Sequence, residues 1–482
     1  MKKTRLKAFL CLLSAAAILL SAAACKSSPD ATSSDSSTGV DFSDSQPEES
    51  SNVSETPSET SSDSSNSSTA SSSSKPSAQS EKTTNLTRDQ VMAQMPDELR
   101  NTTIKYMTWN SPKKEMEKDA IAEFEEKTGI KIEVEMVDLN EKYNILASRI
   151  AAGNSPDLFR TDESWPSVCK NLQPIENLNF NFNDKAWDWD IMHDFTFNGK
   201  TYSMQLADTP FTPVAVLYYD KSAIKKAEME DPYTIWKKNP DDWTWDKFFE
   251  LCKTFLDRNG NKDGYYGAIF GNTYIYAYTR AFGLANVSYD YKTSTYTSNL
   301  QNPEYIKRME ILADAIQKKY ISSTAQGFEM GQVLFAWDWS QNAQANNVYY
   351  GNLKKRNNLG IVPIPTDSTK QVLYQHIGHG VPVGAKNPEA VPYFIRYIQD
   401  RKGYNIDTIY SVPNSAEVVE WTLEQGRKNK NFYVGDSIHN YTYITKIMSS
   451  PASQVKAICD THAPEFEAAV KDLNNVIASM PK

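Results

Sequence analysis

The sequence predicts an α/β fold, and two observations carry that reading. Residues 103–159 follow the order strand, helix, strand, helix, strand, which is the order of a parallel sheet flanked by helices. A second strand-and-helix series opens at residue 212. The region from about residue 87 to 482 is long for one domain and comfortable for two or three.

Each element has a local cause. Residues 103–109 (Thr-Ile-Lys-Tyr-Met-Thr-Trp) read as the first strand. Residues 115–128 read as an amphipathic helix, with Met116, Ala120, Ile121 and Phe124 near helical spacing, and Gly129 stops it. Residues 130–137 alternate apolar and charged as a second strand. Residues 143–152 form a helix ended by Gly153-Asn154, and Asp157-Leu158-Phe159 is a short buried strand. Further on, residues 212–219 are an apolar strand after which Asp220 starts a short helix. Thr244 caps the helix that opens Trp245-Asp246-Lys247. Helices at 303–319 and 388–399 follow, and residues 416–477 are mainly helical. In a parallel sheet ligands bind at the carboxyl ends of strands, which draws attention to Trp109-Asn110 and to residues 160–165.

Ahead of this region lies an address. Lys2, Lys3, Arg5 and Lys7 precede an apolar run that closes with Ala22-Ala23-Ala24-Cys25. A charged start, an apolar middle and small residues before the cut make a secretory signal over residues 1–24. The pattern resembles that of bacterial lipoproteins, with Ala22 where Leu is usual, and implies lipidation of Cys25. Residues 26–85 are mostly Ser, Thr, Asp, Glu, Asn and Pro, with Val40, Phe42 and Val53 standing alone. Such a segment cannot bury enough surface to offset its ordering entropy and reads as a disordered tether. Its mean span is about 40–45 Å. A long Ser-rich tether after a lipidated Cys suggests the outer face of a single-membrane, thick-walled (Gram-positive) cell.

Composition narrows the partners. Aromatics make up 11% of the chain, with 10 Trp and 26 Tyr, rich for an acidic soluble protein; large cores account for most of them, and a surplus beyond core needs often marks recognition of flat, partly apolar ligands. A net charge of −9, part of it in the acidic tether, argues against a nucleic-acid surface. Of five cysteines, Cys11 leaves with the signal and Cys25 takes the lipid. Cys169, Cys252 and Cys459 are widely spaced and read as buried free thiols.

The order of segments resembles the family 1 extracellular solute-binding proteins, the maltose-binding-like receptors of sugar uptake transporters. The resemblance runs over residues 104–416. Its carriers are Glu125-Glu126-Lys127-Thr128-Gly129-Ile130, Ala151-Ala152-Gly153-Asn154-Ser155-Pro156-Asp157-Leu158, Gly199-Lys200-Thr201-Tyr202, Val216-Leu217-Tyr218-Tyr219-Asp220-Lys221, Thr244-Trp245-Asp246 and Gly384-Ala385-Lys386-Asn387-Pro388. Pro210 and Pro213 depart from the family pattern where the chain crosses between lobes, and residues 404–443 are unlike it. The resemblance implies two α/β lobes joined by a hinge, with a ligand cleft between them and docking on a membrane permease. It divides the chain into a first lobe (87–210 and 369–412) and a second lobe (211–368, completed by helices in 413–482).

A sugar offers hydroxyls at its rim and C–H groups on its faces, so paired polar groups beside aromatic rings suit it. By type and position the candidates are Trp109, Asn110, Asp162, Glu163, Trp165, Asp208, Trp337, Asp338, Trp339 and His379. Trp109 reads equally as core. Trp337 and Trp339 share a strand face, so one can stack on ligand while the other packs inside. Tyr274, Tyr276 and Tyr278 read as core. His376 and His379 stand three apart, but Gly378 and Gly380 argue against a helix that would bring them to one metal. Asp257, Asn259, Asn261 and Asp263-Gly264 resemble a calcium loop that lacks Gly at its sixth place and Glu at its twelfth, and a structural calcium there is the weaker of two readings beside a plain turn. No cofactor is otherwise expected.

Three functions fit. One is a monomeric, lipid-anchored receptor that delivers an oligosaccharide to an ABC transporter permease. The others are a surface-tethered carbohydrate-active enzyme and a receptor for a non-sugar solute. The chain shows no nucleophile elbow, phosphate loop or metal motif, and the candidate acids beside aromatics favour a neutral or cationic solute over an anionic one.

Overall fold

The computed structural model describes residues 84–482 apart from 110–118, 162–164, 208–213, 271–284, 341–349, 351–352, 354–356, 366–377, 400–411 and 430–441. The chain enters at Thr84, whose hydroxyl donates to the Asn183 carbonyl at 2.6 Å. Leu86 N–H donates to Asp184 and the Leu86 carbonyl accepts from the buried Arg396 guanidinium. These bonds fasten the start of the region to two later segments.

The first sheet opens with β1 (Thr103–Thr108), β2 (Lys131–Met136) and β3 (Leu158–Thr161). β1 lies between the other two, parallel to both. Helix Ala120–Thr128 joins β1 to β2 and ends where Gly129 takes a φ of 74°, a left-handed conformation that only glycine adopts cheaply. Helix Lys142–Ala151 joins β2 to β3. Alternation sorts the central strands by face. Ile104, Tyr106 and Leu158 belong to a core under helices Ala120–Thr128 and Val391–Gln399. Met107 and Phe159 point the other way, into a second core with Leu146. β2 is an edge strand, and its alternation leaves Val134 39% and Met136 52% exposed.

A small hairpin follows, β4 (Thr196–Phe197) with β5 (Lys200–Thr201), and the chain then crosses to a second sheet. There β6 (Ala215–Asp220) is buried along its whole length. Its last residue, Asp220, caps helix Lys221–Lys226 by accepting from Ser222 N–H. Thr244 caps helix Trp245–Arg258 by accepting from Lys247 N–H. β7 (Tyr266–Ile269), a hairpin of β8 (Val287–Asp290) and β9 (Thr295–Ser298), helix Pro303–Gln317, β10 (Ile321–Ser322), β11 (Val333–Trp339) and β12 (Leu359–Pro363) complete this part. The sheet order is β10-β7-β11-β6-β12. β7, β10 and β11 run parallel, and β6 opposes both β11 and β12.

The chain then returns to the first sheet. β13 (Gly378–Gly380) pairs antiparallel with β3, and helix Val391–Gln399 packs on the helices of that lobe. Helices Ser415–Asn429, Thr442–Met448 and Val455–Ser479 finish the second lobe, packing against β12, helix Pro303–Gln317 and β9. The protein is thus a two-lobed α/β structure in which the chain visits the first sheet, the second, and the first again.

The lobes also touch away from the crossings. Tyr291, after β8, donates its hydroxyl to the buried Asp194 at 2.8 Å and lies over His193 with ring centroids 4.3 Å apart. Asn198, at the β4–β5 turn, donates to the carbonyls of Ile477 and Met480 at the end of the last helix.

Candidate functional site

Strand direction defines two edges of interest. In the first sheet the parallel strands β1 and β3 end at Thr108 and Thr161, and Trp109 follows directly. In the second sheet β11 ends at Trp339, which pairs with Ala215 at the start of β6. Trp109 and Trp339 are both partly buried, and both rest on the same core cluster, which contains residues of both lobes.

Trp109 sits among cations. The Arg160 guanidinium carbon lies 4.9 Å from its ring centroid and the Lys142 ammonium 5.0 Å. Lys142 also lies 4.5 Å from the Tyr143 ring and donates to the Leu139 carbonyl. Such contacts strengthen as water is removed, and both side chains belong to residues more than nine-tenths buried. Arg160 is paired in register with His379 across β3 and β13. Burial, and second the Arg160 charge, press the His379 imidazole down to about 3, so it is neutral at ordinary pH. His379 is held by its backbone to Met204 on one side and by the sheet on the other.

Of the second-lobe candidates, Trp337 is buried in the core, in contact with Phe270 and edge-on to Trp339, while Trp339 is half-buried. The shared face therefore divides as one inner and one outer ring. Asp338 projects to the other face and accepts from the Tyr350 hydroxyl and the Trp339 N–H, both at 2.8 Å. Trp165 is 2% exposed and packs inside the core at the head of helix Pro166–Cys169. Asn110, Asp162, Glu163 and Asp208 lie outside the described residues, as do Tyr274, Tyr276, Tyr278, His376, Pro210, Pro213 and the Cys25 lipidation position.

Sequence reasoning passed over Lys142, and placed Arg160 in the stretch 160–165 without naming it as a candidate. Lys142 falls one residue before the expected helix 143–152 and Arg160 one residue after the expected strand 157–159, whereas the structure places them in helix Lys142–Ala151 and in β3. The signal that could have found Arg160 is a charged side chain in a strand otherwise apolar on both faces. Asp157 directly precedes β3. Its carboxylate accepts from the backbone N–H groups of Lys105, Lys386 and Asn387, tying β1 to the turn after β13.

In the calcium-like stretch, Asp257 accepts from Lys253 and Asn261, and Asp263 is paired with Lys319 at 3.0 Å. Lysine partners thus occupy both carboxylates. Among the described residues no group of three His, Cys, Asp or Glu side chains is placed to hold a metal. Cys169, Cys252 and Cys459 are buried free thiols, and burial raises the pKa of all three.

The profile of the bacterial extracellular solute-binding protein family matches residues 119–420, well over half of the chain. The chain belongs to that family. Membership implies an extracytoplasmic location, and among the described residues no helix is long and apolar enough to cross a membrane. No curated protein matches the sequence. Solved structures with the same fold include an oligogalacturonide-binding protein from Yersinia enterocolitica, 14% identical over 78% of this chain and 100% of its own, with a TM-score of 0.57. The GacH receptor of Streptomyces glaucescens, solved free and with acarbose, is 16% identical over 79% and 99%, with a TM-score of 0.54. An ABC substrate-binding protein of Listeria monocytogenes in complex with cycloalternan is 17% identical over 78% and 99%, with a TM-score of 0.51. The family and these neighbours are binding proteins rather than enzymes.

Proposed function

We propose that this solute-binding protein captures an oligosaccharide between its lobes and hands it to an ABC transporter permease. The observation that carries the reading is the pair Trp109 and Trp339, half-buried rings at the carboxyl edges of the two sheets, both resting on the core cluster that spans the lobes. Rings so placed suit the C–H faces of a sugar. Three of the solved neighbours are described with cycloalternan, with acarbose and as an oligogalacturonide-binding protein, which supports the same solute class. Ligand contacts to both lobes would favour the closed arrangement. Asn110, Asp162, Glu163 and Asp208, next to these edges in sequence, are proposed to bond the sugar hydroxyls.

The anchor belongs to the same reading. Lipidation at Cys25 and the Ser-rich tether would keep the receptor within reach of one membrane protein and raise its effective concentration there. Cys25→Ser should leave ligand affinity unchanged and impair uptake, whereas full uptake by the released protein would remove the anchor from the mechanism.

The test is a thermal-shift screen of the purified full chain against sugars and against peptides, polyamines and phosphodiesters. A raised melting temperature with one or more oligosaccharides is expected. A response confined to another class would overturn the sugar reading, and turnover of a labelled oligosaccharide would overturn the receptor reading.

A further inference from the structure

The second sheet has a far end, where β6 finishes and β7 and β11 start, about 25 Å along β11 from Trp339. A cavity of about 310 Å³ opens there, between helix Lys221–Lys226, the last turn of helix Trp245–Arg258 and the turn before β11. That volume is at the lower end for ligand pockets, so an occupant is small. Asp220 lies on the inner wall and is 2% exposed. Its Oδ1 accepts from the Ser222 N–H and hydroxyl, which completes the helix cap. Its Oδ2 accepts from no described residue and stands 3.5 Å from where a Cβ on Gly331, also on the wall, would be. A carboxylate held out of water with one oxygen unused is costly unless a donor arrives, and a charged N–H donor answers it best.

The exposed part of the wall has the opposite sign. Lys226 is exposed and pairs with no carboxylate among the described residues. Arg258 reaches only the exposed Glu228, at 3.6 Å, a contact that contributes little. Glu329, on the same wall, is already engaged. Ala223, Phe255 and Leu353 supply buried apolar surface. Met330 beside them is 73% exposed, the most exposed large apolar side chain among the described residues.

We infer that this cavity is a second ligand site, separate from the cleft between the lobes, and that it takes a small zwitterion with an apolar body, an α-amino acid or a dipeptide. The ammonium sets against Asp220 Oδ2, the apolar side chain lies by Phe255, Leu353 and Met330, and the carboxylate meets Lys226 and Arg258. A plain cation would be opposed by the two exposed cations and a plain anion by Asp220, whereas a molecule with both charges satisfies each end. The inference does not depend on the sugar reading of the cleft.

The experiment is calorimetric titration of the purified full chain with leucyl-leucine, with its amide, which lacks the carboxylate, and with its N-acetyl form, which lacks the ammonium. Leucyl-leucine is expected to bind saturably at one site, and each blocked form at least about tenfold more weakly. Asp220→Asn keeps an oxygen for the helix cap and removes the charge, and should weaken leucyl-leucine at least about tenfold. Lys226→Met should weaken leucyl-leucine and leave the amide unchanged. If the Asp220 variant does not fold, Lys226→Met and the blocked peptides decide. No saturable binding of leucyl-leucine would overturn the inference, as would full affinity in Asp220→Asn. Equal binding of the amide would overturn the zwitterion assignment. Binding weakened by Trp339→Ala and not by Asp220→Asn would place the peptide in the cleft and remove the second site. Dipeptide binding that depends on Asp220, with silence toward every sugar, would overturn the sugar reading and leave this site standing.

Discussion

Asp157 shows how one side chain can define a junction. It sits in the Pro-Asp turn before β3, yet it bonds the backbone of β1 and of the turn after β13. Asp157→Ala would strand three N–H groups and should cost about 3 kcal/mol in urea unfolding. His379 makes a pH prediction. Its folded pKa of about 3 is below the ordinary 6.5, so the unfolded chain takes up a proton that the folded chain refuses. The stability it contributes is complete above about pH 6.5 and is lost as pH falls toward 3, at up to about 1.4 kcal/mol per pH unit. Urea midpoints measured across that window should fall more gently in His379→Gln. The sequence singled out His379 by its two glycines but could not reveal its burial, because that is decided by Met204 and Arg160, which are distant in the chain. The same is true of Trp337 and Trp339. Their common face was legible from strand period, but which ring is covered depends on Phe270 and the core beneath.

At the scale of elements, what was legible is what is local. Asp220 and Thr244 cap helices as their sequence contexts indicate, and Gly129 ends one with a positive φ. Thr244→Ala should cost about 1 kcal/mol, measurable by the same unfolding assay. β2 was legible as a strand from its alternation, but its place at the sheet edge was not, since edge or centre is set by which strands arrive later. The close packing of β12 was equally hidden. A Cβ on Gly360 would fall within the ring of Tyr219, whose hydroxyl bonds Asp231 at 2.9 Å. Gly360→Ala must displace that ring and should destabilise by about 1–3 kcal/mol. Gly380 is confined in the same way by Leu172 and the Tyr202 carbonyl, which explains why a glycine-broken stretch nonetheless forms β13.

At the scale of the whole molecule, the described residues build two main sheets, with two small hairpins, and a core cluster takes residues from both main sheets. The α/β order was legible because each strand–helix step carries its own signals, whereas the two-lobed plan came from the family resemblance that the order of segments carries. The cationic surroundings of Trp109 were not, because Lys142 and Arg160 meet only after β1, β3 and the helix between them have packed. The central claim is that the lobes hold an oligosaccharide with Trp109 and Trp339 as its platforms. It is tested most directly by titrating the purified full chain with oligosaccharides while following tryptophan fluorescence, alongside Trp109→Ala and Trp339→Ala. The account predicts a saturable fluorescence change with at least one oligosaccharide, and affinity at least about tenfold weaker in each variant. Saturable sugar binding that both variants retain at full strength would contradict it.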